Sequence, residues 1–415
     1  MAKKLAVFCD GTWQDLRCEF PTNVVRLARS VSHHDPDGTP QIVYYDEGIG
    51  VAPGVNRFVD FGVKLIGGAL GNGLDQKIME AYLFLVLNYK PGDEIYVFGF
   101  SRGAHTARSL CGLIRKCGVL RREFVREVPS AIEHYRSVSN PKSAEMVDFR
   151  QRYAHRKASG SEDLRRMGEP VETATPSTES LAKLYQYRPD ESYRLMYLGV
   201  WDTVGALGIP KKYRLWKIPK RYSFYDTDAS SLLASIRHAV AANEKRHEFD
   251  ATTFANLRTL NLEWAKRTGW NVSDPDDERF VPYRLRPYQQ QWFAGDHGAV
   301  GGGCEETKLS DIVLTWIAEG AANAGLALDY ETGSELAEAR RRPSPLGPLG
   351  NNATTGDPGG RDRRKGPEHL ENVSLAVRER YARDPKSYDP PNLSLMRGQT
   401  WPETERPAPT GFPTH

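Results

Sequence analysis

Ser101 stands in Gly99-Phe-Ser-Arg-Gly103, a G-x-S-x-G pentapeptide. A serine hydroxyl is a weak nucleophile near neutral pH, so it needs a base to take its proton and a third group to orient that base. The sequence offers both behind apolar runs. Asp202 follows Tyr193 to Trp201, and His297 follows Gln289 to Phe293. In that arrangement His297 accepts the Ser101 proton and returns it to the leaving group. Asp202 holds the imidazole in the correct tautomer and stabilises its charged form. The rival bases are weaker. His105 lies four residues past Ser101 on a helix that runs away from the turn, and His238 and His247 read as surface residues of a polar helical segment. Asp296 is the rival acid, but its position next to His297 points it away in an extended loop. An oxyanion requires backbone donors. One is the N–H of Arg102, the residue after the nucleophile; the second is expected from Gly11 or Thr12, in the loop after the first strand. Asp10 reads equally as a brace for that loop or as a turn carboxylate.

These residues work only if strands deliver them to one edge. Ile95 to Phe98 is a short apolar run after the turn signal Pro91-Gly92-Asp93, and Ala104 to Ile114 has helical spacing. Strand, tight turn and helix form the context that a nucleophile elbow needs. Gly99 and Gly103 lack a Cβ and let strand and helix approach closely. Upstream, Leu5–Cys9 and Gln41–Tyr45 read as strands. A helix capped by Thr22 follows the first, and a helix over Leu74–Tyr89 follows the second. This βαβαβ order predicts a parallel sheet. Downstream, Tyr193–Trp201 and Gln289–Phe293 are expected strands; Ala229–Ala242, Leu309–Gly325 and Leu370–Ala382 are expected helices. The sequence order Ser, Asp, His is that of α/β-hydrolases. The expected fold is therefore an α/β-hydrolase-like parallel sheet flanked by helices, with a mainly helical cap insertion. We expect a catalytic domain over 1–335 with the cap at 121–190. A flexible Pro/Gly/Arg-rich loop is expected at 341–367, a C-terminal segment docking back at 368–396, and a loose tail at 397–415.

A formal net charge of +3 over 415 residues is too small to imply a nucleic-acid partner. No apolar run approaches the roughly 18 residues of a membrane span. Leu5–Cys9 is too short for the core of a signal peptide. The five cysteines are odd in number and scattered, with no disulfide framework or metal spacing. A cytoplasmic origin is expected, with export without a cleaved signal peptide left open. The glycines at 67, 68, 71 and 73 lack the Lys-Ser/Thr of a P-loop and the last glycine of a dinucleotide fingerprint, so no cofactor is expected. The run Gly301-Gly302-Gly303 is expected to let the backbone pass close to the site. Lys211, Lys212, Arg214, Lys217, Lys220 and Arg221 interleave with Tyr213, Trp216 and Tyr222. Such cations attract anionic headgroups at ~1 kcal/mol each near a surface, and Trp and Tyr favour the headgroup level. The segment is thus a candidate for peripheral contact with an anionic membrane; the same composition also suits a solvated loop.

Four stretches carry a resemblance: Phe8-Cys-Asp-Gly-Thr12, Gly99-Phe-Ser-Arg-Gly-Ala-His-Thr-Ala-Arg108, Val200-Trp-Asp-Thr-Val-Gly205 and Trp292-Phe-Ala-Gly-Asp-His-Gly-Ala-Val-Gly-Gly-Gly303. Together they resemble the widespread microbial and fungal α/β-hydrolase-domain family that includes the phospholipase effectors of bacterial type VI secretion. The resemblance runs from about Leu5 to Trp316, with a weaker echo at Tyr388–Leu393. It implies a Ser101-Asp202-His297 triad acting on carboxylic esters, with phospholipid acyl esters as the leading substrate. Members often carry an acidic residue two positions after the histidine, where this sequence has Ala299. The alternatives are an esterase for small soluble esters and a non-catalytic binding module that keeps the fold.

Overall fold

The structure is a computed structural model and describes residues 2–11, 18–48, 73–137, 139–155, 194–205, 228–246, 249–268, 281–350 and 364–399. Six strands, β1 (Lys4–Cys9), β2 (Gln41–Asp46), β3 (Glu94–Phe100), β4 (Arg194–Trp201), β5 (Leu233–Ala241) and β6 (Tyr288–Phe293), form one sheet in the order β2-β1-β3-β4-β5-β6. Every pairing is parallel. Fully parallel sheets need cover on both faces, and side-chain alternation shows where it comes from. Leu5, Val7, Ile95 and Val97 enter one apolar cluster, and Ala6, Phe8, Tyr96 and Phe98 enter the other. The first cluster is closed by α2 (Gly73–Asn88), α3 (Arg102–Cys117), α4 (Val128–Arg136), α5 (Ala144–Tyr153) and α6 (Leu257–Arg267). The second is closed by α1 (Asn23–Arg29), α8 (Lys308–Asn323) and α9 (Glu335–Arg341). Between α1 and α8, the buried Arg26 pairs with Asp311 at 2.7 Å. The expected parallel, α/β-hydrolase-like sheet flanked by helices is therefore present.

Thr22 caps α1 as expected, accepting the Val25 N–H at 3.2 Å. One segment differs from expectation. The pattern of Ala229–Ala242 predicts a helix, but Leu233–Ala241 is the buried strand β5. Its run Leu-Ala-Ser-Ile-Arg-His-Ala-Val-Ala lacks a period-2 pattern because all nine positions are buried, so its alanines read as helix formers. The expected cap at 121–190 is described in part. Its described residues, 121–155, pack against the C-terminal end of α3: Cys117 Sγ lies 3.3 Å from Ala131 O, and Arg150 Nη1 donates to Lys116 O at 2.7 Å. That end is about 24 Å from the helix start, next to Ser101. Residues 156–193 lie outside the described residues.

The expected loop at 341–367 is anchored on both sides. Leu349 O accepts the Asp296 N–H at 2.7 Å, and Arg364 is buried. Residues 351–363 lie outside the described residues. The following segment covers the β6 edge: Val373 bridges Trp292, and α10 (Leu375–Arg383) comes next. Asn392 Nδ2 donates to Ala242 O at 3.0 Å, and Leu393 and Met396 are fully buried.

Candidate active site

The strand order reverses between β1 and β3. In open parallel sheets, ligands bind outside the carboxyl ends of the strands at such a switch point. Ser101 follows β3 there, and Gly11 follows β1. Ser101 has φ 59° and ψ −122°, a backbone rarely adopted by a residue with a side chain. Its N–H donates to Trp201 O at 3.1 Å, tying the turn to the end of β4. Space for the turn comes from the flanking glycines: a Cβ on Gly99 would lie 2.4 Å from Gly103 O, and one on Gly103 would lie 2.1 Å from Cys9 O. Arg102, the expected oxyanion donor, opens α3.

Asp202 is the other non-glycine residue with positive φ among the described residues, at 38°. The turn carries its carboxylate over the end of β5, where Oδ1 accepts the Ala241 N–H at 2.8 Å. On the far side stands His297, first residue of α7 (His297–Gly301), whose Nδ1 lies 2.5 Å from Asp202 Oδ2. The carboxylate is fully buried. Burial alone raises its pKa, but the charge of Arg364 and the His297 hydrogen bond outweigh that, and the net direction is down. Phe100 and Phe249 flank the imidazole, with ring centroids at 4.5 and 4.7 Å. Phe100, next to Ser101 in the sequence, thus joins the serine to the imidazole through packing. Among the described residues, neither Ser101 Oγ nor His297 Nε2 makes a hydrogen bond. Bonds of this kind in unliganded sites are often long and tighten when substrate binds. The glycine run behaves as expected, since a Cβ on Gly301 would lie 2.0 Å from the Phe100 ring.

The rivals are placed elsewhere. Asp296 accepts the Ala299 N–H at 2.9 Å and caps α7. His105 is buried on α3, with Nδ1 3.4 Å from Ser109 Oγ, and burial lowers its pKa to about 3. His238, expected at the surface, is fully buried on β5. Its Nδ1 donates to Gln290 Oε1 at 2.9 Å, and its Nε2 is 3.2 Å from Thr203 Oγ1. Burial and then the nearby Arg108 charge lower its pKa to about 3, so it stays neutral. His247 lies outside the described residues.

The β1 loop abuts the serine: a Cβ on Gly11 would lie 3.5 Å from Ser101 Cβ. The Gly11 N–H, however, already donates to Asp10 Oδ1 at 2.6 Å. Asp10 Oδ2 accepts from Thr22 Oγ1 and Tyr45 OH, both at 2.7 Å. Asp10 is therefore a brace, not an exposed turn residue. Burial raises its pKa to about 6 against the pull of these three donors. Thr12 lies outside the described residues, as do Lys211, Lys212, Arg214, Trp216, Lys217, Lys220 and the rest of the basic-aromatic segment.

Two residues missed by sequence reasoning complete the surroundings. Glu244, with its carboxylate fully buried, accepts the His297 N–H at 3.2 Å through Oε2. It also pairs with Arg246, whose guanidinium lies 3.7 Å over the Phe249 ring. Arg364 bonds to both carboxylate oxygens of Asp202. Nη1 donates to Oδ1 at 2.6 Å and Nη2 to Oδ2 at 2.9 Å. Nothing in its run Arg361-Asp-Arg-Arg-Lys365 separates Arg364 from a solvated basic loop.

A family model described as "T6SS, Phospholipase effector Tle1-like, catalytic domain" matches residues 3–320. An uncharacterized protein of Saccharomyces cerevisiae, YEL023C, is 28% identical over 265 residues, which are 61% of this chain and 33% of that protein. The chain thus spans about a third of that relative's length. Two solved structures are similar. The crystal structure of an uncharacterized protein from Pseudomonas aeruginosa has 18% identity and a TM-score of 0.39, covering 81% of this chain and 49% of that one. The Tle1 effector bound to the VgrG spike of the type 6 secretion system has 15% identity and a TM-score of 0.31, covering 74% and 52%.

Proposed function

Because the chain belongs to the family of Tle1-like phospholipase effector catalytic domains, we propose that it is a serine hydrolase cleaving phospholipid acyl esters through an acyl-enzyme. The observation that carries this reading is the 2.5 Å contact of His297 Nδ1 with buried Asp202, beside a serine held at φ 59° after β3. With Nδ1–H committed to the carboxylate, Nε2 is the basic nitrogen and takes the Ser101 proton. Ser101 Oγ then bonds to the ester carbonyl carbon. The carbon–oxygen bond to the lysolipid breaks as His297 returns the proton to that oxygen. Water repeats the sequence on the acyl-enzyme, releasing fatty acid and restoring Ser101. The developing oxyanion is assigned to the Arg102 N–H at the start of α3 and to a donor from the β1 loop, either Thr12 or Gly11, the latter only once its N–H leaves Asp10 Oδ1. In this reading Lys211, Lys212, Arg214, Trp216, Lys217 and Lys220 dock the enzyme on anionic lipid.

The test is fatty-acid release from phosphatidylglycerol vesicles and from a short soluble ester. The unmodified protein is expected to turn over both and to prefer vesicles, and Ser101→Ala neither. Turnover of the soluble ester alone would mean a small-ester esterase. Absence of both would mean a binding module.

A further inference from the structure

We propose that Arg364 is a positioning residue of this hydrolytic site: its guanidinium clamps both oxygens of Asp202 and thereby sets the orientation and charge balance of the Asp202–His297 pair. The inference rests on the hydrolase reading for its kinetic consequences, while the geometry stands independently of it. Arg364 lies beyond the matched residues 3–320, so the segment after the catalytic domain supplies this guanidinium.

An ionised carboxylate offers about four acceptor positions. On Asp202 all four are filled. Oδ1 accepts from Ala241 N and Arg364 Nη1, and Oδ2 accepts from His297 Nδ1 and Arg364 Nη2. Arg364 thus contributes half of the donors and the formal charge that balances a fully buried anion. The guanidinium is itself held in place. Nη1 also donates to Ala241 O at 2.8 Å, and Nη2 to Phe249 O. It therefore bridges the end of β5 and the residue whose ring packs on His297. Such a fork is planar and bidentate, and lysine cannot reproduce it.

Two effects follow. First, a carboxylate gripped on both oxygens cannot rotate, so Nδ1–H has one acceptor direction and Nε2 one aim. Second, the guanidinium is a fixed positive charge on the carboxylate that His297 uses, and a like charge disfavours a second cation beside it, so removing Arg364 is expected to let the variant pair hold a proton to higher pH. Among the described residues, the charged groups nearby include Glu244, which accepts the His297 N–H, Arg246, over the Phe249 ring, and Asp296, before His297 in the sequence; Arg108 acts on His238, which also feels Asp202 and Arg364. The first two pair with each other. Arg364 is the cation bonded to the carboxylate that His297 uses.

The experiment compares the unmodified protein with Arg364→Ala, Arg364→Gln and Arg364→Lys by two readouts. One is the pH dependence of the labelling rate of Ser101 by a fluorophosphonate. The other is the pH titration of the low-field Nδ1–H proton resonance of His297, assigned by its loss in His297→Gln. In Arg364→Ala the acidic limb of the labelling rate is expected to move up by roughly one pH unit, and the midpoint of the proton resonance with it. The rate on the plateau is expected to fall by at least about tenfold, since the oriented geometry is lost. Arg364→Gln, which keeps bulk and loses charge, is expected to move the limb the same way if the alanine variant does not fold. Arg364→Lys is expected to keep the limb near its original pH but to stay below the parent rate. An unmoved limb and an unmoved resonance in Arg364→Gln or Arg364→Ala would overturn the proposal, leaving Arg364 a packing residue. A parent protein that takes no label at Ser101 would sink the hydrolase reading alone, because the histidine resonance still decides the role of Arg364.

Discussion

Both non-glycine residues with positive φ among the described residues, Ser101 and Asp202, belong to the proposed triad. Strained conformations cost of order 1–3 kcal/mol each and persist where the surroundings over-determine them. Here the Ser101 N–H bond to Trp201 O and the four donors on Asp202 do so. Asp202→Asn keeps the shape but loses the charge and the tautomer control. We expect kcat to fall on the order of 10⁴-fold and stability to drop by roughly 3–5 kcal/mol as Arg364 is left without its anion; ester turnover and urea unfolding read the two. The folded pKa of Asp202 is depressed. Its stabilising contribution is therefore fully present above the ordinary carboxylate value and is lost only as pH falls through the lower folded value. Asp10 is the opposite case, raised to about 6. Above that pH it is an anion receiving the Tyr45 hydroxyl, and below it a neutral acid. Tyr45→Phe is expected to cost about 1.5–3 kcal/mol at pH 8, where the bond is charge-assisted, and nearer 1 kcal/mol at pH 5. Equal losses by denaturant unfolding at both values would contradict the assignment. Ser101, Asp202 and His297 are legible as residues because each sits at a strand end behind a turn. Glu244 and Arg364 are not, because one buried carboxylate and one basic residue in a charged run carry no spacing signal.

At the scale of elements, the site depends on how closely α3 approaches β1. The Gly103 Cα faces the carbonyls of Cys9 and Asp10, and the atoms that a Cβ would meet are backbone, which cannot swing aside. Gly103→Ala is expected to destabilise by ~3 kcal/mol or more, at the upper end of overpacking losses. A thermal melt within a degree of the parent would show that the elbow has slack that this structure lacks. The same elements show how far patterning reaches. β1, β2, β3, β4 and β6 are legible because apolar, β-prone runs end at turn signals, and α1 because Thr22 announces its cap. β5 is not legible. A strand buried on both faces loses its period of two, and alanine with leucine then favours the helical reading. That single error also moves His238 from the interior to the surface.

For the whole molecule, the segment beyond the family match is part of the fold. Val373, Val377, Leu393 and Met396 are buried against the β5–β6 end of the sheet. Removing them re-exposes side chains worth roughly 1.5–3 kcal/mol each, a total comparable to the roughly 5–15 kcal/mol that holds a domain together. A polypeptide ending at Gly350 is therefore expected to lose its cooperative thermal transition; a parent-like melt would show that the C-terminal segment is dispensable. Composition makes 341–367 look mobile because Pro, Gly and Arg dominate it, and only the three-dimensional partners of Leu349 and Arg364 reveal its anchored flanks. Whether Ser101 is the nucleophile of an acyl-enzyme is tested most directly by peptide mapping after reaction with a fluorophosphonate. The expected result is one phosphonylated residue, Ser101, with no adduct in Ser101→Ala and strongly slowed labelling in His297→Gln. An adduct that persists in Ser101→Ala, or none in the unmodified protein, would contradict it.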